Sequence, residues 1–266
     1  MDICESDILK NKTILVTRAK TQSLGFIQEL EKFSASVISF PTIETEPINI
    51  NLLEKYLKNI EVYDWIIFTS SNTVKIFFET FYKLNLDKNT LNKIKFAVIG
   101  SKTNKSLEIY NFTSNLTPNE YTAESLLNLF SQIDIKNNKI FLPISALAQN
   151  ILEEGLKNKN VIVDVLKIYN TILPKVESLD ILINKFLNNE IDYVTFTSPS
   201  TVKNFILLLE KHNIKKLLKN TKLVSIGQVT SKAIKEHLDI LPIESQDHTI
   251  EGLLKEIIFD TKKHLV

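Results

Sequence analysis

The chain has 266 residues, 44% apolar and 24% charged, a composition typical of a soluble globular protein long enough for two domains. A net charge of +1 argues against broad nucleic-acid binding, and the single cysteine, Cys4, excludes an internal disulfide and a cysteine-based zinc site. No apolar run approaches the roughly 18 residues that span a bilayer, and the polar start resembles neither a secretory nor a transit peptide. We therefore expect a cytoplasmic protein.

Short apolar runs alternate with helix-like stretches along the chain. The runs that predict buried parallel strands lie at 14–16, 65–68, 96–99, 140–142, 193–196 and 223–226. Two of the stretches that follow carry apolar residues at i, i+3, i+4 and i+7, which predicts amphipathic helices: Val74, Phe77, Phe78 and Phe81, and Val202, Phe205, Ile206 and Leu209. Strand–turn–helix units in series predict right-handed crossovers and a parallel α/β sheet in each half.

The two halves of the sequence repeat each other. DWIIFTSSNTVKIFF from Asp64 and DYVTFTSPSTVKNFI from Asp192 lie at an offset of 128 residues and share eight of fifteen positions. Three further pairs follow the same order: FAVIG with LVSIG, YTAESLL with HTIEGLL, and, more faintly, ILVTRAK with IFLPISA. A period near 127 is too long for a solenoid repeat and suits a small domain, which indicates an internal duplication.

The repeated polar residues fall at the turns where predicted strands end. The first tier contains Thr69, Ser70, Ser71 and Asn72, matched by Thr197, Ser198, Pro199 and Ser200; the second contains Gly100 and Thr103, matched by Gly227 and Thr230. Ser and Thr before a helix are good N-caps, which is one interpretation. The other is anion binding, because helix N-termini at the carboxyl ends of parallel strands attract carboxylates and phosphates.

Arg18 is the only arginine among 32 basic residues. A guanidinium can bind a carboxylate with two parallel hydrogen bonds, so Arg18 either contacts ligand or forms a surface or interdomain salt bridge. Neither GxGxxG nor GxxxxGK[ST] occurs, the four histidines lack metal-ligand spacing, and no GxSxG motif is present. We therefore expect neither a nucleotide cofactor nor a metal.

Together the motifs resemble the uroporphyrinogen-III synthase family. The resemblance covers about residues 13–257 and lies in the order of ILVTRAK, FPTIETEP, DWIIFTSSNTV, FAVIGSKT, YTAESLL, KIYNTI, DYVTFTSPSTV, LVSIGQVT and TIEGLL. It implies a lyase that cyclises hydroxymethylbilane to uroporphyrinogen III with inversion of the last pyrrole ring, without metal or cofactor. The implied route is loss of the substrate hydroxyl to an azafulvene, a spiro intermediate and reclosure. Eight carboxylates on that substrate suit anion-binding turns in both halves.

The resemblance also implies a site. Tyr169 matches the family's tyrosine and would act as a general acid on the departing hydroxyl, although a tyrosine packed in a strand explains it equally well. The substrate-binding residues implied are Arg18, Thr69, Ser70, Ser71, Gly100, Thr103, Thr197, Ser198, Ser200, Gly227 and Thr230. Four residues depart from the family pattern: Ile144 and Ser145 stand where Arg-Gly is frequent, and Gln228 and Val229 where Pro-Thr is frequent.

The implied domains differ from the repeats. One domain would contain residues 1–42 plus 173–266 and the other 43–172, each a flavodoxin-like parallel sheet flanked by helices, joined by a two-stranded hinge. We expect a monomer whose partner is the small-molecule tetrapyrrole, with no nucleic acid and no membrane. Two alternatives stay open: a non-catalytic two-lobed protein that binds an anion or metabolite, and a catalytically inactive paralogue.

Overall fold

A computed structural model describes residues 5–176 and 179–264. Its strands, numbered along the chain, are β1 Thr13–Val16, β2 Ser36–Ser39, β3 Glu44–Pro47, β4 Trp65–Phe68, β5 Lys95–Val98, β6 Lys139–Ser145, β7 Ile162–Ile172, β8 Tyr193–Phe196, β9 Lys222–Ser225 and β10 Ile243–Glu244. Its α-helices are α1 Lys20–Lys32, α2 Ile50–Lys58, α3 Ser71–Lys83, α4 Ser101–Glu108, α5 Ala123–Phe130, α6 Ile151–Lys157, α7 Leu179–Leu187, α8 Pro199–Leu208, α9 Ile214–Leu217, α10 Gln228–Leu238 and α11 Ile250–Lys263.

The chain divides into two compact units. Unit 1 contains residues 1–44 and 172–266, and unit 2 contains residues 45–171. The chain leaves unit 1 within β3 and returns to it at the end of β7. Whether these units are the independent domains expected at 1–42 plus 173–266 and 43–172 stays a prediction.

Unit 1 is built on a five-stranded sheet with the order β10–β9–β8–β1–β2. All of its strand pairs are parallel. One face packs against α7, α8 and α10 through residues such as Phe196 and Phe205, and the other against α1 and α11 through Val16 and Leu253. Both faces are covered, which explains why its strands are continuous apolar runs.

Unit 2 is built on the order β5–β4–β6–β7–β3. The pairs β4–β5, β4–β6 and β6–β7 are parallel. One face packs against α2, α3 and α4 through an aromatic cluster around Phe68 and Phe77, and the other against α5 and α6 through Trp65 and Leu152. The predicted α/β fold, with parallel sheets flanked by helices, is confirmed.

The predicted apolar stripes form the buried faces of α3 and α8. Val74, Phe77, Phe78 and Phe81 are fully buried. In the second copy Val202, Phe205 and Leu209 are buried, and Ile206 packs against them while partly exposed. Two predicted strands are displaced by one residue, since β5 begins at Lys95 and β9 at Lys222.

The two sheets share a strand order but divide the sequence repeats between them. The order β9–β8–β1–β2 of unit 1 corresponds to β5–β4–β6–β7 of unit 2. The first repeat supplies β1 to unit 1 and β4 to unit 2, and the second supplies β8 to unit 1 and β6 to unit 2. Each unit therefore combines the opening of one repeat with the remainder of the other.

Candidate functional site

Each sheet has one point where its strand order reverses. In unit 1 this switch point lies between β1 and β8, and in unit 2 between β4 and β6. Ligands of open α/β sheets bind outside the carboxyl ends of the strands at such points. The turns that follow β1, β8 and β4 carry Arg18, Thr197 with Ser198, and Thr69 with Ser70, so the first tier of predicted residues flanks the two switch points.

Arg18 follows β1 and precedes α1 in a half-buried position. One terminal nitrogen, Nη2, donates to Gln22 Oε1 at 3.2 Å, but the buried Nε has no hydrogen-bond partner. No carboxylate among the described residues of its unit lies within salt-bridge distance, although Glu29 and Glu251 line the same pocket. Burial lowers the pKa of the Arg18 guanidinium from its ordinary value. A carboxylate ligand would satisfy the free Nε and offset this cost of desolvation.

The turn after β8 is capped by its own side chains. Ser198 Oγ accepts from the backbone N–H of Thr201 at 3.3 Å, and Thr201 Oγ1 accepts from the backbone N–H of Ser198 at 3.2 Å. Ser198 Oγ also pairs with Ser200 Oγ at 2.8 Å, and Thr197 is partly exposed. This capping box confirms the structural interpretation of the repeated string, while ligand contact by Thr197, Ser198 and Ser200 stays a prediction.

The turn after β9 differs because no side chain caps its helix. Gly227 is the N-cap residue of α10 and forms no side-chain capping bond. Its position is covered by the His248 ring: an added Cβ would lie 2.2 Å from His248 Nδ1. His248 Nδ1 lies 3.1 Å from the Ile226 carbonyl oxygen, which holds the ring in place. Thr230 is buried beneath this turn, so its predicted ligand contact requires that the turn move.

In unit 2, the turn after β4 is also capped by its own side chains. Ser70 caps α3 by accepting from Thr73 N–H at 3.2 Å, and Ser71 Oγ donates to the Lys102 carbonyl oxygen at 3.2 Å. Thr69 forms no side-chain hydrogen bond within the described part of the chain and lines a pocket at the switch point. Thr69 is therefore the residue of this turn whose hydroxyl is available to a ligand.

Tyr169 lies in β7 and reaches the same turn. Its hydroxyl is 3.2 Å from Ser70 Oγ, while its ring belongs to the core cluster of α3 and is 7% exposed. The structure therefore brings the predicted general acid and a predicted binding residue together. In the aligned segments 40–47 and 167–174, the residue of unit 1 that corresponds to Tyr169 is Thr42, which is buried and donates to the Thr17 carbonyl oxygen at 3.1 Å.

The turn after β5 repeats the glycine–ring contact of unit 1. Gly100 is the N-cap residue of α4, again without a side-chain capping bond, and has a φ of 95°. A Cβ there would lie 3.1 Å from the Tyr121 ring, which itself is 60% exposed. Thr103 is buried and donates to the Ile99 carbonyl oxygen at 3.3 Å.

The four residues that depart from the family pattern lie in β6 and at the start of α10. Ile144 is buried in β6 and lines the pocket beside Thr69, and Ser145 Oγ accepts from Leu147 N–H at 3.2 Å. Gln228 and Val229 form the first turn of α10, where Val229 is largely exposed.

Sequence reasoning missed both ring residues and the role of the repeated aspartates. Tyr121 and His248 open the repeated pair YTAESLL and HTIEGLL, a shared position that was a usable signal. Asp64 and Asp192 lie at the opposite, amino ends of the strands. There, Asp192 Oδ2 accepts from Thr13 N–H at 2.8 Å and Asp64 Oδ2 from Lys139 N–H at 2.7 Å. These carboxylates fix the neighbouring strand, so their repetition is structural.

Two features are absent from the described residues. No group of three or more His, Cys, Asp or Glu side chains there could hold a metal ion. No helix in the same ranges has the length and apolar character needed to cross a membrane.

The chain is similar in sequence and fold to proteins of one family. A family model described as "Uroporphyrinogen-III synthase HemD" matches residues 25–255. A uroporphyrinogen-III synthase of Synechococcus elongatus is 29% identical over 94% of this chain and 95% of its own length. The porphyrin biosynthesis protein HemD of Ruminiclostridium josui is 29% identical over 92% of this chain, which spans only 48% of that relative. A crystal structure of a mutant uroporphyrinogen III synthase from Thermus thermophilus shares the fold, with a TM-score of 0.58, 19% identity, and coverage of 95% of this chain and 99% of that one.

Proposed function

The chain belongs to the uroporphyrinogen-III synthase family, and from that premise we propose that it cyclises hydroxymethylbilane to uroporphyrinogen III with inversion of the last pyrrole ring. The observation that carries the proposal is the contact between the Tyr169 hydroxyl and Ser70 at the carboxyl edge of the second sheet. This contact joins Tyr169, the general acid that the family resemblance implies, to the repeated turn that would bind substrate. The substrate class, a small-molecule tetrapyrrole, follows from the family.

The hydrogen bonds around Ser70 favour Tyr169 as a proton donor. Thr73 Oγ1 donates to the Ser70 carbonyl oxygen at 2.6 Å, so the proton of Thr73 is already used. Ser70 Oγ accepts from Thr73 N–H, and its proton can be donated to the Tyr169 oxygen at 3.2 Å, a shorter contact than the 3.4 Å to Thr73 Oγ1. The Tyr169 proton can then point away from Ser70, toward the hydroxyl of the substrate.

In the proposed first step, Tyr169 donates this hydrogen bond to the leaving hydroxyl. The carbon–oxygen bond breaks, the oxygen leaves as water with the proton of Tyr169, and the electron pair of the pyrrole nitrogen forms the azafulvene in its N-protonated, cationic form. Ser70 stabilises the resulting phenolate by donating to it, until the proton lost on ring closure restores the tyrosine. The remaining task is to hold the intermediate so that inverted closure outcompetes the spontaneous, uninverted closure.

Carboxylate binding is assigned to three kinds of group. Arg18 offers an unpartnered Nε. The N-termini of α4 and α10, at Gly100 and Gly227, offer backbone N–H groups that no side chain caps. The turns after β4 and β8, in which Ser70 and Ser198 already serve as caps, contribute hydroxyl groups that can donate to a carboxylate. Positioning by Thr103 and Thr230 is indirect, because both are buried.

We extend the proposal to a cytoplasmic monomer whose domains, 1–42 plus 173–266 and 43–172, move about a two-stranded hinge at β3 and β7. The proposed enzyme needs neither metal nor cofactor. Retention of full activity after exhaustive chelation and desalting would support independence from metal and cofactor. Sedimentation at working concentration tests whether the protein is a monomer.

The direct test supplies hydroxymethylbilane to the purified protein and separates the product isomers. We expect uroporphyrinogen III; formation of only the uninverted isomer, at the spontaneous rate, would contradict the proposed reaction. Tight binding of substrate without accelerated cyclisation would instead favour the non-catalytic binding protein.

A further inference from the structure

Unit 2 contains a small apolar pocket at its switch point. The pocket has a volume of about 210 Å³ and lies at the carboxyl ends of β4 and β6. Apolar side chains from β6, the turn after β5, α5 and α6 form most of its lining, with one hydroxyl group, and they include Thr69, Ile99, Ala123, Ile144, Ala148 and Ile151. A pocket of this kind at this edge of a parallel sheet is where a ligand is expected.

We propose that this pocket binds one pyrrole ring of the tetrapyrrole through the apolar faces of the ring. The inference rests on the proposed function. It assigns a binding site to a pyrrole ring, a part of the substrate that the carboxylate-binding groups do not recognise. Pockets for drug-sized ligands start at roughly 300 Å³. At about 210 Å³ this one accommodates a fragment of a ligand and not four linked rings.

The charge and hydrogen-bonding groups of the pocket select a ring over a carboxylate. Glu153 is the charged residue in the lining, and it is paired with Lys157 at 2.6 Å. The uncharged polar groups are the exposed Gln149 amide and the Thr69 hydroxyl, so the pocket presents no free cation to an anionic side chain. Thr69 has no side-chain partner within the described residues. Its oxygen can therefore accept a hydrogen bond from a pyrrole N–H while the apolar lining covers the ring.

The rim of the pocket supports a flat ligand. Ile99 lines the pocket and is followed by Gly100, against which the exposed Tyr121 ring is held. An aromatic surface therefore lies against the residue that follows a lining residue in the chain. Aromatic pairs prefer offset or edge-to-face arrangements, so Tyr121 can extend the surface available to a ring that protrudes from the pocket.

A neutral monopyrrole tests the pocket without the carboxylates. We would titrate 2,5-dimethylpyrrole into full-length protein carrying ¹³C-labelled isoleucine methyl groups. The methyl resonances of Ile99 and Ile144 should shift with saturation, whereas that of Ile162, which is exposed at the start of β7, should not. Unshifted Ile99 and Ile144, or equal shifts at Ile162, would overturn the proposal.

A pair of charge substitutions tests the pocket during turnover. Ile151→Asp places a carboxylate in the lining, at the first position of α6, where an acidic residue favours the helix and folding should be retained. Leu147→Asp adds the same charge at an exposed residue of the preceding turn that does not line the pocket. We expect Ile151→Asp to raise KM for hydroxymethylbilane roughly tenfold, because a charged lining would no longer bury the ring. Leu147→Asp should change KM less than twofold.

The outcomes separate the pocket from the reaction. Equal KM changes in the two variants would overturn the pocket while leaving the proposed reaction intact, provided that the wild type forms uroporphyrinogen III. Methyl shifts in a protein that forms no uroporphyrinogen III would support a ring-binding pocket and contradict the proposed reaction.

Discussion

The repeated serine turns differ at the scale of single residues. Ser70 Oγ reaches the Tyr169 hydroxyl, whereas Ser198 Oγ pairs with Ser200 at 2.8 Å. The position equivalent to Tyr169 in unit 1 is Thr42, whose hydroxyl is used in a backbone hydrogen bond. In the proposed mechanism, proton donation therefore belongs to unit 2 alone, while the unpartnered Nε of Arg18 lies in unit 1.

Tyr169→Phe should lower kcat by about 10²-fold with little change in KM, because the phenyl ring keeps the packing and loses only the proton. A larger share of uninverted product should accompany the loss, since spontaneous closure competes with a slower enzyme. Steady-state kinetics with separation of the isomers measure both. The control is Tyr82→Phe, at an exposed position of α3; wild-type kcat in the Tyr169 variant would remove this residue from the mechanism.

Arg18→Gln should raise KM about tenfold or more, because a charge-assisted hydrogen bond to a buried group contributes about 1.5–3 kcal/mol. Arg18→Lys should recover only part of this, since an ammonium cannot replace a planar guanidinium that donates from Nε. The matched control is Lys20→Gln, an exposed cation in the first turn of α1. Similar KM values for the Arg18 and Lys20 variants would show that Arg18 binds no substrate carboxylate.

At the scale of elements, the strands are fixed at their amino ends and carry the candidate site residues at their carboxyl ends. Asp192 holds β1 by accepting from Thr13 N–H and pairs with Lys12 at 2.9 Å. Asp64 holds β6 in the same way through Lys139 N–H. The same repeated string thus supplies, at its first residue, an aspartate that holds the neighbouring strand and, at its sixth to eighth, the turn that we propose binds substrate. Stability and function can therefore be separated by mutation.

Asp192→Ala should lower the free energy of unfolding by about 1–3 kcal/mol, because it leaves the Thr13 N–H without its acceptor. Asp64→Ala should cost less, since its hydrogen bond is more exposed to water. Urea unfolding measures the free energies, and kcat and KM at a permissive temperature should stay at wild-type values for both. A kinetic defect in Asp192→Ala that persists under conditions of full folding would contradict a purely structural role.

The cluster around Asp260 predicts a loss of stability in acid. Burial alone would raise the pKa of Asp260, but hydrogen bonds from Lys222 and Tyr193 and the charges of Lys222 and His264 outweigh it, and the pKa is lowered. A carboxyl whose pKa is lower in the folded than in the unfolded state stabilises the fold above the unfolded value, near 3.8, and loses that contribution as the pH falls through the folded value.

Asp260→Asn should therefore be less stable than the wild type at pH 7, and the difference should shrink below about pH 4. Urea unfolding of both proteins at pH 7, 5 and 3 gives the comparison. A difference that is independent of pH would assign the effect to lost hydrogen bonds and not to the charge.

The sequence predicted elements better than the contacts between them. The stripe Val74, Phe77, Phe78 and Phe81 identified α3 because its spacing is local, and all four side chains are buried. The rings that cover Gly100 and Gly227 come from Tyr121 and His248, 21 residues away in each half. Periodicity says nothing about such contacts, which depend on the sheet bringing two turns together. The pocket at Thr69 was missed for the same reason, since Ile144 is by itself an ordinary buried strand residue.

At the scale of the whole molecule, sequence repeat and compact unit differ. The first repeat contains β1 and β4, which belong to different sheets, and β1 pairs with β8 of the second repeat. Within unit 2, β6 lies between β4 and β7, so that sheet needs strands from both repeats. The repeat was visible as residue identities, but the exchange between repeats was implied only by the family resemblance, because pairing across more than one hundred residues leaves no local signal.

This arrangement predicts which fragments fold. Residues 43–172 contain every strand of the second sheet and should unfold cooperatively as an isolated fragment. Residues 1–130 are similar in length and contain all four motifs of the first repeat. They lack β6 and β8, so β4 loses its neighbour β6 and β1 loses its neighbour β8. That fragment should show no cooperative transition and should expose apolar surface to a hydrophobic dye. Circular dichroism during urea unfolding, with amide NMR dispersion at matched concentrations, distinguishes the two. Cooperative folding of 1–130 with failure of 43–172 would make the repeat, and not the expected domain, the folding unit of this protein.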